Sequence, residues 1–248
     1  MNPIVFSWDP TRDGARPSDS PICSFFENRR NGVFVDIGAN HPIKNSETWP
    51  LEQQGWSGLL VEPNPELCEL LRRHRPGSRV FQIAACAPGK EGEAELHLAN
   101  DDGKSSLNPE WDHLMTGKTV RVATRTINSV LVEASVHHID FLSLDVEGME
   151  LEVLRGIDLV RYAPALILIE DHFYNHDKHR YLRNCGYKLV KRTGYNNWYV
   201  PNAENVSLQS MTGLVERTLL RKKMWLNLPF NRIRYRLKMR KSRSRQSS

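Results

Sequence analysis

No apolar run in this 248-residue chain approaches the roughly twenty residues needed to cross a bilayer. Met1 to Pro21 is polar and proline-containing and lacks the apolar core of a signal peptide, so a cytoplasmic protein is expected. There are only four cysteines, Cys23, Cys68, Cys86 and Cys185. They are scattered and never paired as Cys-x-x-Cys, which argues against a zinc knuckle or a redox dithiol and leaves reduced structural thiols. The full Gly-x-Gly-x-x-Gly turn of a dinucleotide fold is missing, and Gly38 stands alone where such a turn would be sought. No Gly-x-x-x-x-Gly-Lys-Ser/Thr sequence supplies the phosphate cradle of a P-loop ATPase, and no internal repeat suggests a solenoid.

What is present begins with Val33-Phe-Val-Asp-Ile-Gly-Ala-Asn40 and continues with Gly58-Leu-Leu-Val-Glu-Pro-Asn64. Each has the short β-branched and aliphatic run of a strand covered on both faces, and each ends in an acid. After the first strand, Asp36-Ile-Gly-Ala-Asn40 makes a tight turn where backbone can approach a ligand closely. Glu62 follows about one βαβ unit later, the distance at which an acid takes a pair of ribose hydroxyls. An adenosine-bearing cofactor fits this geometry. Asp36 would repel a phosphate but attract the ammonium of a sulfonium-bearing amino acid, so S-adenosylmethionine satisfies both acids. Helix capping after ordinary strands is the plainer account of either acid taken singly.

The length suits one α/β catalytic domain with a tail: an N-terminal arm and helix over 1–31, the catalytic domain over 32–201 and a basic extension over 202–248. Helices are predicted over Pro21–Arg30, Ser46–Gln54 with Ser46 as N-cap and Gly55 as terminator, Pro65–His74, Asn128–Ala134 and Met149–Arg155 closed by Gly156. Strands are predicted over Val80–Ala85, Gly92–Leu98, Phe141–Leu144 and Ala165–Ile169, with Val120–Ala123 extending the extra β-region. Tyr187–Val190 and Asn197–Val200 form a final hairpin around Thr193-Gly194. The polar stretch Asn100–Gly117 reads as a loop near the site.

The series VFVDIGAN, LLVEPNPEL, IDFLSLDVEGMELEVLRG and ALILIE resembles the FkbM family of S-adenosylmethionine-dependent O-methyltransferases over approximately Gly32 to Pro201. Asp145-Val-Glu-Gly148 is the most specific piece, and Ser105-Ser-Leu107 and Thr126–Val130 also resemble family segments. The resemblance implies a Rossmann-like class I methyltransferase fold, a mostly parallel twisted sheet with helices on both faces and a C-terminal antiparallel hairpin. It implies that Asp36, Gly38 and Asn40 form the first cofactor loop and that Glu62 holds the ribose, with Ser46, Pro63, Asn64 and Asp145 nearby. Ala84-Ala85 would lie beside adenine. His41 departs from the small or acidic residue expected next to the loop. A hydroxyl on a sugar or other small metabolite is the implied acceptor.

Ligands of open α/β sheets bind at the carboxyl ends of the strands, and here those ends carry Asp36, Glu62, Asp145, Glu170, Asp171 and His172. His172 is a candidate base, because its ordinary pKa lies near neutrality, though acidic neighbours also favour the inert imidazolium; a simple surface histidine is the alternative. Glu170 belongs to the same candidate site. Asp145 and Glu147 could bind the acceptor, although Glu147 could equally complement a helix N-terminus. Asp145, Glu170 and Asp171 also offer the all-oxygen ligands that Mg²⁺ prefers. His137 and His138 precede a strand at its opposite end and are left out of the catalytic set.

The formal charge is +5, but Lys and Arg crowd the last segment between Arg217 and Arg245. Trp225, Leu226, Leu228, Phe230, Ile233, Tyr235 and Leu237 interleave with these bases. That pattern suits a helix on an anionic membrane surface or on a nucleic-acid backbone, or a packed helix with a solvated basic face. A nucleic-acid methyltransferase and a non-catalytic adapter are the rival functional readings, and the acidic strand ends argue against the first.

Overall fold

The computed structural model describes residues 16–99, 105–107, 115–172 and 176–203, together with six helical positions between 218 and 233. Alternation within each short strand divides the apolar side chains between two faces of one sheet. In β1 (Val33–Ile37), Val35 and Ile37 enter one core while Phe34 enters the other. In β2 (Ser57–Val61), Leu59 and Val61 join the first and Leu60 the second. Burial on both faces is why these runs are nearly continuous rather than alternating polar and apolar.

A short 3-10 turn, Pro17–Asp19, leads into α1 (Pro21–Phe25), α2 is Trp49–Gln53, and α3 is Pro65–His74. The second core takes Ile22 of α1, Leu51 of α2 and Leu71 of α3. Next come β3 (Ser78–Phe81), β4 (Ala84–Ala85), β5 (Gly92–Ala99) and β6 (Met115–Arg125). Then α4 (Ile127–Glu133), β7 (Phe141–Leu144), α5 (Glu150–Arg155), α6 (Leu159–Tyr162) and β8 (Leu166–Glu170) follow. The first core is closed by Val130, Leu131, Val153, Leu154, Leu159 and Tyr162 from these helices. Finally α7 (Asp177–Asn184) precedes the hairpin β9 (Tyr187–Thr193) and β10 (Asn196–Pro201).

The main sheet has the order β3-β2-β1-β7-β8-β10-β9. Neighbours from β3 through β8 are parallel, and β10 is antiparallel to both β8 and β9. This is a Rossmann-like, mostly parallel sheet with helices on both faces and the expected C-terminal hairpin. A second sheet, β4-β6-β5, is built on the antiparallel pairing of β5 with β6.

Several boundaries differ from expectation. The helix after the glycine turn starts at Trp49 rather than Ser46, because Thr48 turns its hydroxyl to Asp36, 2.6 Å away. Ser46 still accepts the Trp49 N–H at 3.1 Å. Gly55, with φ of +92°, follows the helix as foreseen. The first helix stops at Phe25, where Glu27 and Asn28 adopt left-handed φ values of 52° and 56°. The strand foreseen over Val80–Ala85 is two strands in two sheets, since Ala84 and Ala85 pair with β6. The polar stretch after Asn100 ends earlier than foreseen, with β6 running from Met115, while 100–104 and 108–114 lie outside the described residues. Among the described residues, no helix is long and apolar enough to cross a membrane.

Candidate active site

The chain runs outward from β1 through β2 to β3, then returns to place β7 on the other side of β1, so β1 and β7 flank the switch point of the sheet. Strand β1 stays joined to both neighbours up to the loops: the Asp145 N–H after β7 donates to the Ile37 carbonyl at 3.0 Å, and the Gly38 N–H to the Val61 carbonyl of β2 at 2.9 Å. Gly38 has φ of +83°, and a Cβ there would lie 1.7 Å from the Asp145 carbonyl oxygen. Both conformation and space therefore require glycine. Above this crossing opens a cavity of about 500 Å³. Among the described residues, six carboxylates line it, Asp36, Glu47, Glu62, Asp145, Glu147 and Glu170, against one lysine, Lys44.

On the β1–β2 side, the acids are held by donors. Glu62 is buried; one of its oxygens accepts the Asn40 N–H at 3.0 Å and the other the Asn64 N–H at 2.8 Å. Asp36 is buried too, and accepts from the Thr48 hydroxyl. Burial raises its pKa, against the opposing pull of Thr48, the Arg75 charge and Ser143. Arg75 is itself fully buried. It donates to Glu52 at 2.6 Å, to the Pro42 carbonyl at 3.1 Å, and to Ser46 and Thr48 at 3.2 Å each. A guanidinium in that position braces the whole loop between Asp36 and α2.

On the β7–β8 side, acids crowd one another. Carboxylate oxygens of Asp145, Glu147 and Glu170 lie within 4.8 Å of each other. Enclosure, then the charges of Glu170, Glu147 and Glu150, push the Asp145 pKa well up. Glu170 moves the other way: enclosure raises it, but the His172 hydrogen bond and charge, Lys178 and the Asp145 proton together pull it down. Within this pair the proton is drawn toward Asp145, whose side chain opens to the cavity, and the negative charge toward Glu170. His172 lies 3.3 Å from Glu170, which raises the imidazole pKa, and its ring rests on Tyr195 with centroids 4.8 Å apart. Lys178 bonds Glu150, Asp171 and the Glu170 carbonyl, at 3.1, 3.2 and 3.1 Å. Glu147 has a left-handed φ of 52°, a strained value for a residue with a side chain, and its carbonyl accepts from the Ser106 hydroxyl at 3.2 Å.

Between the two groups stands Glu47, which the sequence reading missed. It accepts from Asn196 of β10 at 3.4 Å. Burial, reinforced by the Asp36 charge, lifts its pKa to about 7. An acid just before a helix reads in sequence as an ordinary dipole-complementing residue, and only the fold turns it into the cavity. Arg75 was equally hidden, since Arg72-Arg73-His74-Arg75 has the composition of a solvated helix end.

Of the foreseen cofactor residues, Asp36, Gly38, Asn40, Ser46, Glu62, Pro63, Ala85 and Asp145 line the cavity, as does Ala84. Asn64 does not: its side chain caps α3 by accepting the Glu66 N–H at 3.0 Å. Of the foreseen catalytic residues, Asp145, Glu147 and Glu170 line it, while His172 lies outside the lining, beside Glu170. The foreseen metal trio needs correcting, because Asp171 turns away to Lys178 and Asn197 and Glu147 takes its place in the cluster.

Residues 36–189, more than half of the chain, match the Methyltransferase FkbM domain. The chain belongs to the FkbM methyltransferase family. The match runs from Asp36 through the Asp145–Glu170 pair into β9, so it takes in both sides of the cavity. No curated protein matches this FkbM-family chain. Among solved structures it is similar to a TehB-like SAM-dependent methyltransferase from Corynebacterium glutamicum, with 11% identity over 73% of this chain and 86% of that one, at a TM-score of 0.40. It is also similar to precorrin 8w decarboxylase from Methanobacterium thermoautotrophicum, with 12% identity over 72% and 86% of the two chains and a TM-score of 0.40. A third likeness is to Burkholderia thailandensis 1,6-didemethyltoxoflavin-N1-methyltransferase, with 13% identity over 75% of each chain and a TM-score of 0.36. At that distance these are likenesses only.

Proposed function

We propose that this FkbM-family methyltransferase transfers the methyl group of S-adenosylmethionine to a hydroxyl of a sugar or other small metabolite. The observation that carries the reading is the cavity at the β1–β7 switch point, lined by six carboxylates and one lysine. A sulfonium and an ammonium are favoured in such a field, whereas a pyrophosphate is repelled. Asp36 with its Thr48 and Arg75 bracing faces the amino-acid end, Glu62 takes the ribose hydroxyls, and Pro63, Ala84 and Ala85 form the wall for adenine. Gly38, Asn40 and Ser46 complete the loop over the cofactor.

When bound, S-adenosylmethionine would supply its methyl group to the acceptor oxygen, with the carbon–sulfur bond broken and S-adenosylhomocysteine released as the product. The hydroxyl proton needs a base. Glu47 suits that task, because it lines the cavity and its pKa of about 7 balances availability of the carboxylate against basicity. The Asp145–Glu170 pair orients the acceptor: the protonated Asp145 donates a hydrogen bond, and Glu170, held by His172 and Lys178, accepts one. His172 acts through Glu170. Alternatively, Asp145, Glu147 and Glu170 hold a divalent cation such as Mg²⁺, a reading favoured by the spacing of their oxygens. A nucleic-acid acceptor is opposed by the same acidity.

Calorimetry with S-adenosylmethionine and S-adenosylhomocysteine, with NAD and ATP as controls, tests the cofactor. Selective binding that weakens in Asp36→Ala is expected, and no binding to the folded protein would sink the reading. A screen of sugar hydroxyl acceptors with labelled methyl donor follows. Turnover that persists in EDTA would assign the trio to proton handling, and turnover restored only by added Mg²⁺ would assign it to the metal.

A further inference from the structure

Charge is segregated along this chain to an unusual degree. Residues 217–248 carry twelve Lys and Arg and no Asp or Glu, whereas residues 1–216 carry 22 bases against 29 acids. The described positions of the basic segment, Thr218, Lys222, Trp225, Pro229, Phe230 and Ile233, are all helical. Three of them are large apolar side chains turned to solvent: Trp225 is 70% exposed, Phe230 69% and Ile233 55%. Leaving such groups in water forfeits the gain of burying them. The segment is nevertheless tied to the body, since the Trp225 ring packs on His176 with centroids 4.9 Å apart. His176 is the N-cap of α7, whose Lys178 holds the Glu170 carbonyl at the cavity.

We propose that this C-terminal segment is a docking surface for an anionic lipid bilayer, with Trp225, Phe230 and Ile233 entering the headgroup boundary and the surrounding Lys and Arg meeting acidic lipid. Charge complementarity and apolar exposure select this occupant together. A nucleic-acid backbone would use the bases but leave the aliphatic Ile233 in water, and an apolar protein groove would use the three large side chains but desolvate the bases. A bilayer interface satisfies both kinds of group at once. The acidic body is repelled by the same surface, so the molecule docks tail first with its cavity held off the lipid.

Sedimentation of the full chain with phosphatidylcholine vesicles, with and without about 30 mol % phosphatidylserine, tests the assignment. At about 0.1 M salt, binding to the acidic vesicles is expected to exceed that to the neutral ones at least tenfold, and to weaken strongly at about 0.5 M. Trp225→Ala with Phe230→Ala should cut vesicle binding about tenfold while S-adenosylmethionine binding and far-UV circular dichroism stay unchanged. Arg232→Gln with Arg234→Gln should reduce the preference for acidic lipid by about tenfold. Equal binding to both vesicle types, or no binding to either, overturns the proposal. So does binding to a single-stranded RNA that is tighter than to acidic vesicles and insensitive to the two aromatic substitutions. Methyl-donor binding is measured separately from vesicle binding, so loss of one does not imply loss of the other.

Discussion

Two groups of carboxylates share one cavity and are held by different means. On the β1–β2 side, Glu62 is satisfied by two backbone N–H groups and Asp36 by a hydroxyl backed by the buried Arg75. On the β7–β8 side, Asp145, Glu147 and Glu170 lie against one another, and their crowding pushes the Asp145 pKa up. An acid held by several donors has a fixed position, which is what binding an ammonium or a ribose requires. An acid crowded by other acids is balanced between protonation states, which is what moving a proton requires. Glu47 stands between them, drawn up by Asp36 on one side and fastened to the β10 hairpin on the other.

The sharpest way to break this contrast is Glu47→Gln. If Glu47 is the base, its carboxylate form is the active one, so turnover in the unaltered protein should rise with pH through about 7 and level off above it. The substitution should lower the plateau by about 10²–10⁴-fold and remove that limb of the profile. An unchanged profile would move the base to the Asp145–Glu170 pair. Arg75→Met tests the fixed side from behind. It strips the cationic partner from Glu52, leaving only the Ser78 hydroxyl and the Gly77 N–H among the described residues, and removes the brace of the Asp36 loop, at a cost of about 3–5 kcal/mol, readable as a lower urea midpoint.

Glu62→Ala should weaken S-adenosylmethionine binding by about 1–3 kcal/mol, roughly 5–150-fold in Kd, with turnover at saturation little changed. A large loss of saturated turnover instead would erase the division between the two sides. The smallest effect is one of stability. Since the folded pKa of Glu47 lies above its ordinary value of 4.5, the native state binds the extra proton and is favoured below that window, and its stability falls as pH rises toward about 7. Glu47→Gln should therefore stabilise the protein by about 1–2 kcal/mol at alkaline pH, after allowance for solvent screening, and change little well below the ordinary pKa.

Much of the fixed side was legible in the sequence. VFVDI and GLLVE are too apolar to be half-exposed strands, and the single glycine at position 38 with an acid one unit later announces a loop that approaches its ligand. Pro65–His74 was read to the residue, because Asn64 caps it and proline starts it. The helix start at Trp49 was not, since the propensity of Ser46 to cap says nothing about Thr48 being taken by Asp36. Strands β3 and β4 looked like one run because Val80 to Ala85 is continuously apolar enough, and sequence alone does not say which sheet a residue joins. On the other side Asp145, Glu147 and Glu170 were all named, but Asp171 was grouped with them. Asp171 and Glu170 are neighbours of like chemistry, and only the strand's alternation sends one to Lys178 and the other to the cavity.

The small β4-β6-β5 sheet has a consequence for how such a protein can change over generations. Among the described residues, strands β5 and β6 pair with each other and with two residues of β4, and with no strand of the main sheet. Yet the same excursion carries Leu96 and Ser105–Leu107 to the cavity wall. Insertions or exchanges there would reshape what the site admits without disturbing the strands that hold Asp36 and Glu62. Substrate preference can drift on one part of the molecule while the machinery beneath it is inherited intact.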